Sequence, residues 1–191
     1  MNAAVKLLNA VKENDFGGDF GRYMNFILEK IGTEVHGESF GINYVDEETG
    51  VTTLNLGVLN YDGEDMSLTL DVRYPKTAAA DVVVPAVTKV AEAYGLEVLE
   101  ADCTECLYVP QDSELVVKLM EVYKAETGRD DKPMAIGGGT YAKHFPNMVA
   151  FGPCFIEDPS VIHQPNECAD IDKLMQAIQV FGAAMYELAL K

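Results

Sequence analysis

Thr52-Thr53-Leu54-Asn55-Leu56-Gly57-Val58-Leu59 and Met66-Ser67-Leu68-Thr69-Leu70-Asp71-Val72 decide how the first half of this 191-residue chain folds. Apolar and polar residues alternate in both stretches, the period of a half-buried strand. Asn60-Tyr61-Asp62-Gly63-Glu64 between them supplies turn residues, so the pair predicts an antiparallel hairpin. Glu47-Glu48-Thr49-Gly50 predicts an earlier turn of the same kind.

Outward from the hairpin the period changes. Residues 3–13 have helical spacing, with Asn2 the only capping residue ahead of them. Residues 19–31 carry Phe20, Tyr23, Met24, Ile27, Leu28 and Ile31 on one stripe. A helix near 78–94 closed by Gly95 and a strand from Leu96 into Val109 complete an α+β unit, an antiparallel sheet with helices on one face. Pro110-Gln111-Asp112-Ser113 reads as a boundary, giving domains 1–110 and 111–191. In the second domain Ser113 caps a helix running to Thr127 and ended by Gly128. Apolar strands are expected at Met134-Ala135-Ile136 and at Met148-Val149-Ala150-Phe151-Gly152. A last amphipathic helix, roughly 170–190, opens at Asp170.

Composition narrows the function classes. There are 31 acidic and 14 basic residues, a net charge of −17, which disfavours nucleic acid and anionic membranes as partners. No apolar run is long enough to span a bilayer, and Met1-Asn2-Ala3-Ala4-Val5-Lys6 lacks the features of a signal peptide. With four cysteines no disulfide framework is expected, and the cytoplasm is the expected compartment.

A few residues stand out chemically. His163, in Val161-Ile162-His163-Gln164-Pro165-Asn166-Glu167, is open to three readings: metal ligand, general base or inert loop residue. Glu167 could orient its ring or serve as the first-turn acid of the next helix. Ile136-Gly137-Gly138-Gly139-Thr140-Tyr141 is neither a phosphate-binding P-loop nor a dinucleotide fingerprint. It is a tight turn or a backbone surface for a substrate carbonyl or carboxylate. Arg73, one of three arginines, ends a strand, where it could clamp a carboxylate or simply pair with Asp71. Cys103-Thr104-Glu105-Cys106 has redox or zinc spacing but no second pair, since Cys154 and Cys168 stand apart. His36 and Glu47-Glu48 read as turn residues, while His144, after the glycine run, could line the same cleft, though nothing in its spacing demands it.

Gly137-Gly138-Gly139-Thr140-Tyr141-Ala142-Lys143, Val149-Ala150-Phe151-Gly152 and His163-Gln164-Pro165-Asn166-Glu167, in that order, resemble the C-terminal end of peptidase V. This is the Xaa-His dipeptidase (carnosinase-like) branch of the two-zinc aminoacylase and carboxypeptidase metallopeptidases. Asp71-Val72-Arg73-Tyr74-Pro75 resembles the arginine strand of that family's lid domain. The resemblance implies that residues 1–110 are a lid-like domain, N-terminally incomplete, and that 111–191 are the C-terminal α/β segment of a zinc-peptidase catalytic domain. It also implies two zinc ions per complete site, with His163 as one ligand. Arg73 would bind the C-terminal carboxylate of a dipeptide, and Gly138, Gly139 and Thr140 would hold its backbone.

The same resemblance marks what is missing. Such enzymes carry a His-x-Asp ligand pair, a bridging Asp and a Glu-Glu pair containing the general base. Here the residues two after His36, His144 and His163 are Glu38, Pro146 and Pro165, and the lid histidine would fall just before Asn2. The expectation is a C-terminal portion of a zinc dipeptidase, inactive alone, whose partner is the missing N-terminal catalytic half. The alternative is a non-catalytic module that binds peptides or self-associates. Homo-oligomerisation is expected of either.

Overall fold

A computed structural model describes residues 2–152, 155, 157–159 and 161–190. The chain divides into two units, Met1–Cys106 and Leu107–Lys191.

The first unit is built around the hairpin. Strands β1 (Val45–Asp46) and β2 (Gly50–Val51) form a short ribbon, and β3 (Thr53–Tyr61) pairs antiparallel with β4 (Met66–Arg73). Asp62 closes the β3–β4 turn by accepting from the amides of Glu64 and Asp65. Along β4 alternate residues point inward, so Met66, Leu68, Leu70 and Val72 reach the core while Ser67, Thr69, Asp71 and Arg73 face out. β3 starts in the same way with Leu54 and Leu56 buried. A bulge at Gly57 then shifts the register, pairing Leu56 with Leu70 but Val58 with Thr69, so that Leu59 takes the inward side.

Three helices share this core: α1 (Ala3–Val11), α2 (Gly18–Phe26) and α3 (Ala80–Ala93). Asn2 caps α1 by accepting from Ala4 N at 2.9 Å, and its amide donates to Leu56 O at 2.7 Å, which ties the helix start to β3. α2 runs into a π turn over Ile27–Ile31, closed by Gly32 N donating to Ile27 O. Gly95, at φ +71, ends α3. Its amide donates to Glu92 O and that of Leu96 to Ala91 O, the two bonds of a Schellman cap. Val5, Leu8, Met24, Phe26, Ile27, Ile31, Phe40, Ile42, Leu54, Leu56, Val83 and Ala91 are buried together. Phe26 meets Phe40 and Tyr94 edge to face.

The second unit rests on two helices, α4 (Glu114–Thr127) and α5 (Ile171–Ala189). Ser113 Oγ accepts from Val116 N at 3.3 Å, and Asp170 accepts from Asp172 N and Lys173 N. Gly128 ends α4 at φ +70. The buried cluster is small: Leu119, Val122 and Ala184, with Leu115, Val149, Phe151 and Ala183 against it.

The helices and the hairpin fall where the sequence places them, and the whole is α+β. The three remaining strands do not form: Leu96–Val109, Met134–Ile136 and Met148–Gly152 carry no ladder among the described residues. A strand is held by its neighbour, and apolar alternation supplies none. No helix is long and apolar enough to cross a membrane, among the described residues.

Candidate functional site

In the first unit, β4 delivers Arg73 to the outward face of the hairpin, opposite Thr53 on β3. Asp71 lies two residues back on the same face. Arg73 Nη2 donates to Asp71 Oδ2 at 3.0 Å and Nε to Oδ1 at 3.4 Å. Both side chains are about half exposed, at 52% and 49%. The hydrogen bond to Asp71 and the charge of that carboxylate raise the arginine's pKa.

In the second unit the glycine run follows a segment without regular structure and precedes a 3-10 turn at Tyr141–His144. A side chain built on Gly138 would meet nothing within 4 Å. One on Gly139 would meet only Lys143, whose Nζ would lie 3.7 Å away. Neither glycine sits at positive φ. Among the described residues nothing therefore demands glycine at 138 or 139; the bare backbone leaves open space there. Thr140 is half-buried and starts the turn, its carbonyl accepting from Lys143 N. Lys143 is the residue that sequence reasoning passed over. Its position four after Gly139, folded back by the tight turn, was the signal.

His163 lies in the loop before α5, in a pair of consecutive tight turns. Gln164 N donates to Val161 O at 3.1 Å, and Glu167 N donates to Gln164 O at 3.1 Å. The third residue of each turn has positive φ: His163 at +59 and Asn166 at +64. Pro165 takes the second place of the latter, the usual composition of such a turn. A non-glycine residue in the left-handed region is strained, so something must hold it. Glu167 Oε2 does so, accepting from His163 N at 3.1 Å. That carboxylate therefore grips the backbone, which is neither of the two roles the sequence suggested. α5 starts four residues later. The imidazole itself is exposed and has no hydrogen bond among the described residues.

The approach to this loop is anchored by an ionic network centred on Arg129, just past α4. Its Nη1 and Nη2 take both oxygens of Glu157, at 2.5 and 2.7 Å, while Nε donates to Asp131 Oδ2 at 2.6 Å. Tyr123 OH donates to the same Asp131 oxygen. Phe155 lies under the Arg129 guanidinium at 4.9 Å, and Lys173 of α5 pairs with Asp158. Arg129 holds the Asp131 and Glu157 carboxyls below their ordinary range, and Lys173 does the same to Asp158. Burial, then the Asp131 bond, raises the Tyr123 hydroxyl.

The other candidates are accounted for differently. His36 is half-buried, with Nδ1 2.8 Å from Thr52 O, and so braces the core edge. Asp46 closes the Glu47-Glu48 turn by accepting from Glu48 N and Thr49 N, and Glu48 pairs with Lys76. Cys103 and Cys106 lie in exposed coil rather than in a strand; Cys154 lies outside the described residues. Among the described residues no group of three or more His, Cys, Asp or Glu side chains is placed to hold a metal ion. His163 can be one ligand; the donors present do not make a catalytic zinc site, which takes about three.

Residues 27–187 match the model of the peptidase family M20/M25/M40. The chain is 32% identical over 190 residues to the Bacillus subtilis protein named "Putative dipeptidase YtjP", a match covering 99% of this chain and 40% of that protein. Proteins of Staphylococcus haemolyticus and Staphylococcus aureus bearing the same kind of name are 27% and 28% identical over 192 residues, covering 100% of this chain and 41% of theirs. The chain spans about two fifths of the length of these curated relatives.

Proposed function

The chain belongs to peptidase family M20/M25/M40, and from that premise we propose that it is the substrate-gripping, metal-contributing portion of a cytoplasmic zinc dipeptidase acting on dipeptides with a free C-terminus. Residues 1–110 serve as the lid-like domain and residues 111–191 as the C-terminal segment of the catalytic domain. The observation that carries this reading is the His163 turn. A histidine is held at φ +59 by Glu167, its ring uncommitted, in a chain that matches a peptidase family along most of its length. Strain kept in place by a dedicated contact is commonest where a side chain must be aimed.

In this proposal each residue has a bounded task. Arg73 binds the C-terminal carboxylate, oriented by Asp71. Gly138 and Gly139 offer open backbone to the dipeptide, with Thr140 at the edge and Lys143 adding positive charge. His163 supplies one metal ligand, and the network at Arg129 steadies the segment that leads to it. The remaining ligands and the general base come from polypeptide of the kind the relatives carry beyond the matched two fifths. The chain alone then has no turnover.

The test is a chimera in which this chain replaces the matched region of the B. subtilis relative. Metal-dependent cleavage of a dipeptide by the chimera, absent from the chain alone, is the expected result. A chimera that folds and binds zinc but leaves dipeptides intact sinks the reading. The second reading, a self-associating non-catalytic module, draws on the β3–β4 hairpin, where each strand keeps one edge without a strand partner among the described residues. Light scattering on the chain alone tests the second. A concentration-independent monomer removes the second reading.

A further inference from the structure

Three segments of the first unit border a hollow of about 510 Å³ that opens to solvent: the π turn, the 3-10 turn Glu38–Phe40 and one face of α3. Small-molecule sites usually measure ~300–1,000 Å³. On α3 the lining residues are Ala86, Lys89, Val90 and Ala93, spaced three and four apart as a single helix face requires. Alanine at 86 and 93 extends only a methyl group from the backbone, which leaves the space open. Phe40 lines the hollow too. It is 4% exposed and its ring packs edge to face on Phe26, so this wall is fixed from behind. Tyr94 is held likewise, by Phe26 and by donating to Glu29.

The charge at the hollow runs against that of the chain. Acids outnumber bases 31 to 14, and Lys76, Lys118, Lys124 and Lys173 each pair with a carboxylate. Lys30 and Lys89 are the charged residues that line the hollow, and neither forms an ion pair among the described residues. The carboxylates bonded to its walls are already engaged. Glu29 accepts from Tyr94 OH, and Glu34 accepts from Ser39 N at 2.7 Å and Ser39 Oγ at 2.6 Å. Lys30 is half-buried within the π turn, its Nζ 5.8 Å from the centre of the Tyr94 ring. Such turns are rare and are found often at functional sites. Two unpaired cations beside a preformed apolar wall suit an anion that carries an apolar body. The nearby charges of Glu29 and Glu34 favour a single negative charge over a doubly charged phosphate.

We propose that this hollow binds a small carboxylate with an apolar body, its charge held by Lys30 and Lys89 and its body lying against Phe40, Ala86 and Val90. The site extends the proposed function without depending on it.

The test is a titration of the full chain, labelled with ¹⁵N, in which the backbone amides of Ala86, Val90 and Ala93 are followed by NMR. The probes are hexanoate, hexanamide, acetate and inorganic phosphate at fixed pH and ionic strength. Hexanoate should move these amides saturably. Hexanamide, which lacks the charge, and acetate, which lacks the body, should each bind at least about tenfold more weakly. Lys89→Gln and Lys30→Gln should each weaken hexanoate by about tenfold while the amides of Phe26 and Leu56 in the core stay in place. If Lys30→Gln shifts those core amides, Lys89→Gln alone decides. Equal affinity for hexanoate and hexanamide overturns the proposal, as does phosphate binding as tightly as hexanoate. A response confined to Arg73 and its neighbours, or no saturable response at all, overturns it as well. Shifts at Ala86 and Ala93 that grow with protein concentration before any probe is added overturn it in favour of a second copy filling the hollow.

Discussion

Arg73→Ala should erase the preference of the chimera for substrates with a free C-terminal carboxylate. The guanidinium meets the Asp71 carboxylate at 3.0 and 3.4 Å, and both side chains are about half in solvent. An ion pair so exposed is worth ~0.2–1 kcal/mol, enough to orient the fork and too little to block it. A substrate carboxylate on the same fork, shielded from water, makes charge-assisted hydrogen bonds worth about 1.5–3 kcal/mol. Losing them lowers kcat/KM by roughly 10- to 150-fold. The assay compares kcat/KM for a dipeptide and for its C-terminal amide. Arg73→Ala should reduce the first by that factor, leave the second nearly unchanged, and bring their ratio close to one. Asp71→Asn, which loses only the exposed pair that orients the fork, should lower kcat/KM for the acid by no more than about fivefold. General damage to the fold would lower both substrates together. Arg73→Ala with the acid-to-amide ratio intact would refute the clamp.

Other outcomes follow from the packing and the charges. Phe26→Ala removes a ring that is 1% exposed and touches Phe40 and Tyr94, and should cost the first unit about 3–5 kcal/mol in denaturant unfolding; a loss below ~1 kcal/mol would show that the cluster is not its core. Ser113→Ala deletes the α4 cap and should cost about 1 kcal/mol, read from the same curve. The pKa values of Asp131, Glu157 and Asp158 are depressed by Arg129 and Lys173, so their contribution is present above the ordinary carboxylate range and lost as pH falls through the depressed values. Tyrosine near-UV dichroism should therefore fall away below about pH 4. Glu157→Gln should make that loss shallower, and an unchanged acid profile would show that the network does not hold the segment.

What could be read from the sequence was what neighbours in sequence decide. Asn2, Ser113 and Asp170 cap their helices within three residues, and Gly95 and Gly128 end theirs at positive φ. The β3–β4 hairpin was legible because its turn and both alternating strands lie within about twenty residues. The strands expected at Leu96–Val109, Met134–Ile136 and Met148–Gly152 failed for the opposite reason: composition marks them as apolar, but only a partner strand makes a ladder. The bulge at Gly57 is a register event between two strands and shows in neither alone. For the site, Arg73, the glycine run and His163 were visible as residue types. The positive φ of His163, the grip of Glu167 on its amide and the pairing of Arg129 with Glu157 across 28 residues are products of folding.

The central claim is that His163 belongs to a dipeptidase metal site that this chain shares with further polypeptide. It is tested most directly by measuring bound zinc and dipeptide turnover together in the chimera, with and without His163→Ala. The account predicts a metal-loaded, active chimera in which His163→Ala lowers both zinc retention and turnover by more than the roughly 10–100-fold that losing even an outer partner of a metal ligand costs. Full zinc occupancy and unchanged turnover in the His163→Ala chimera would contradict it.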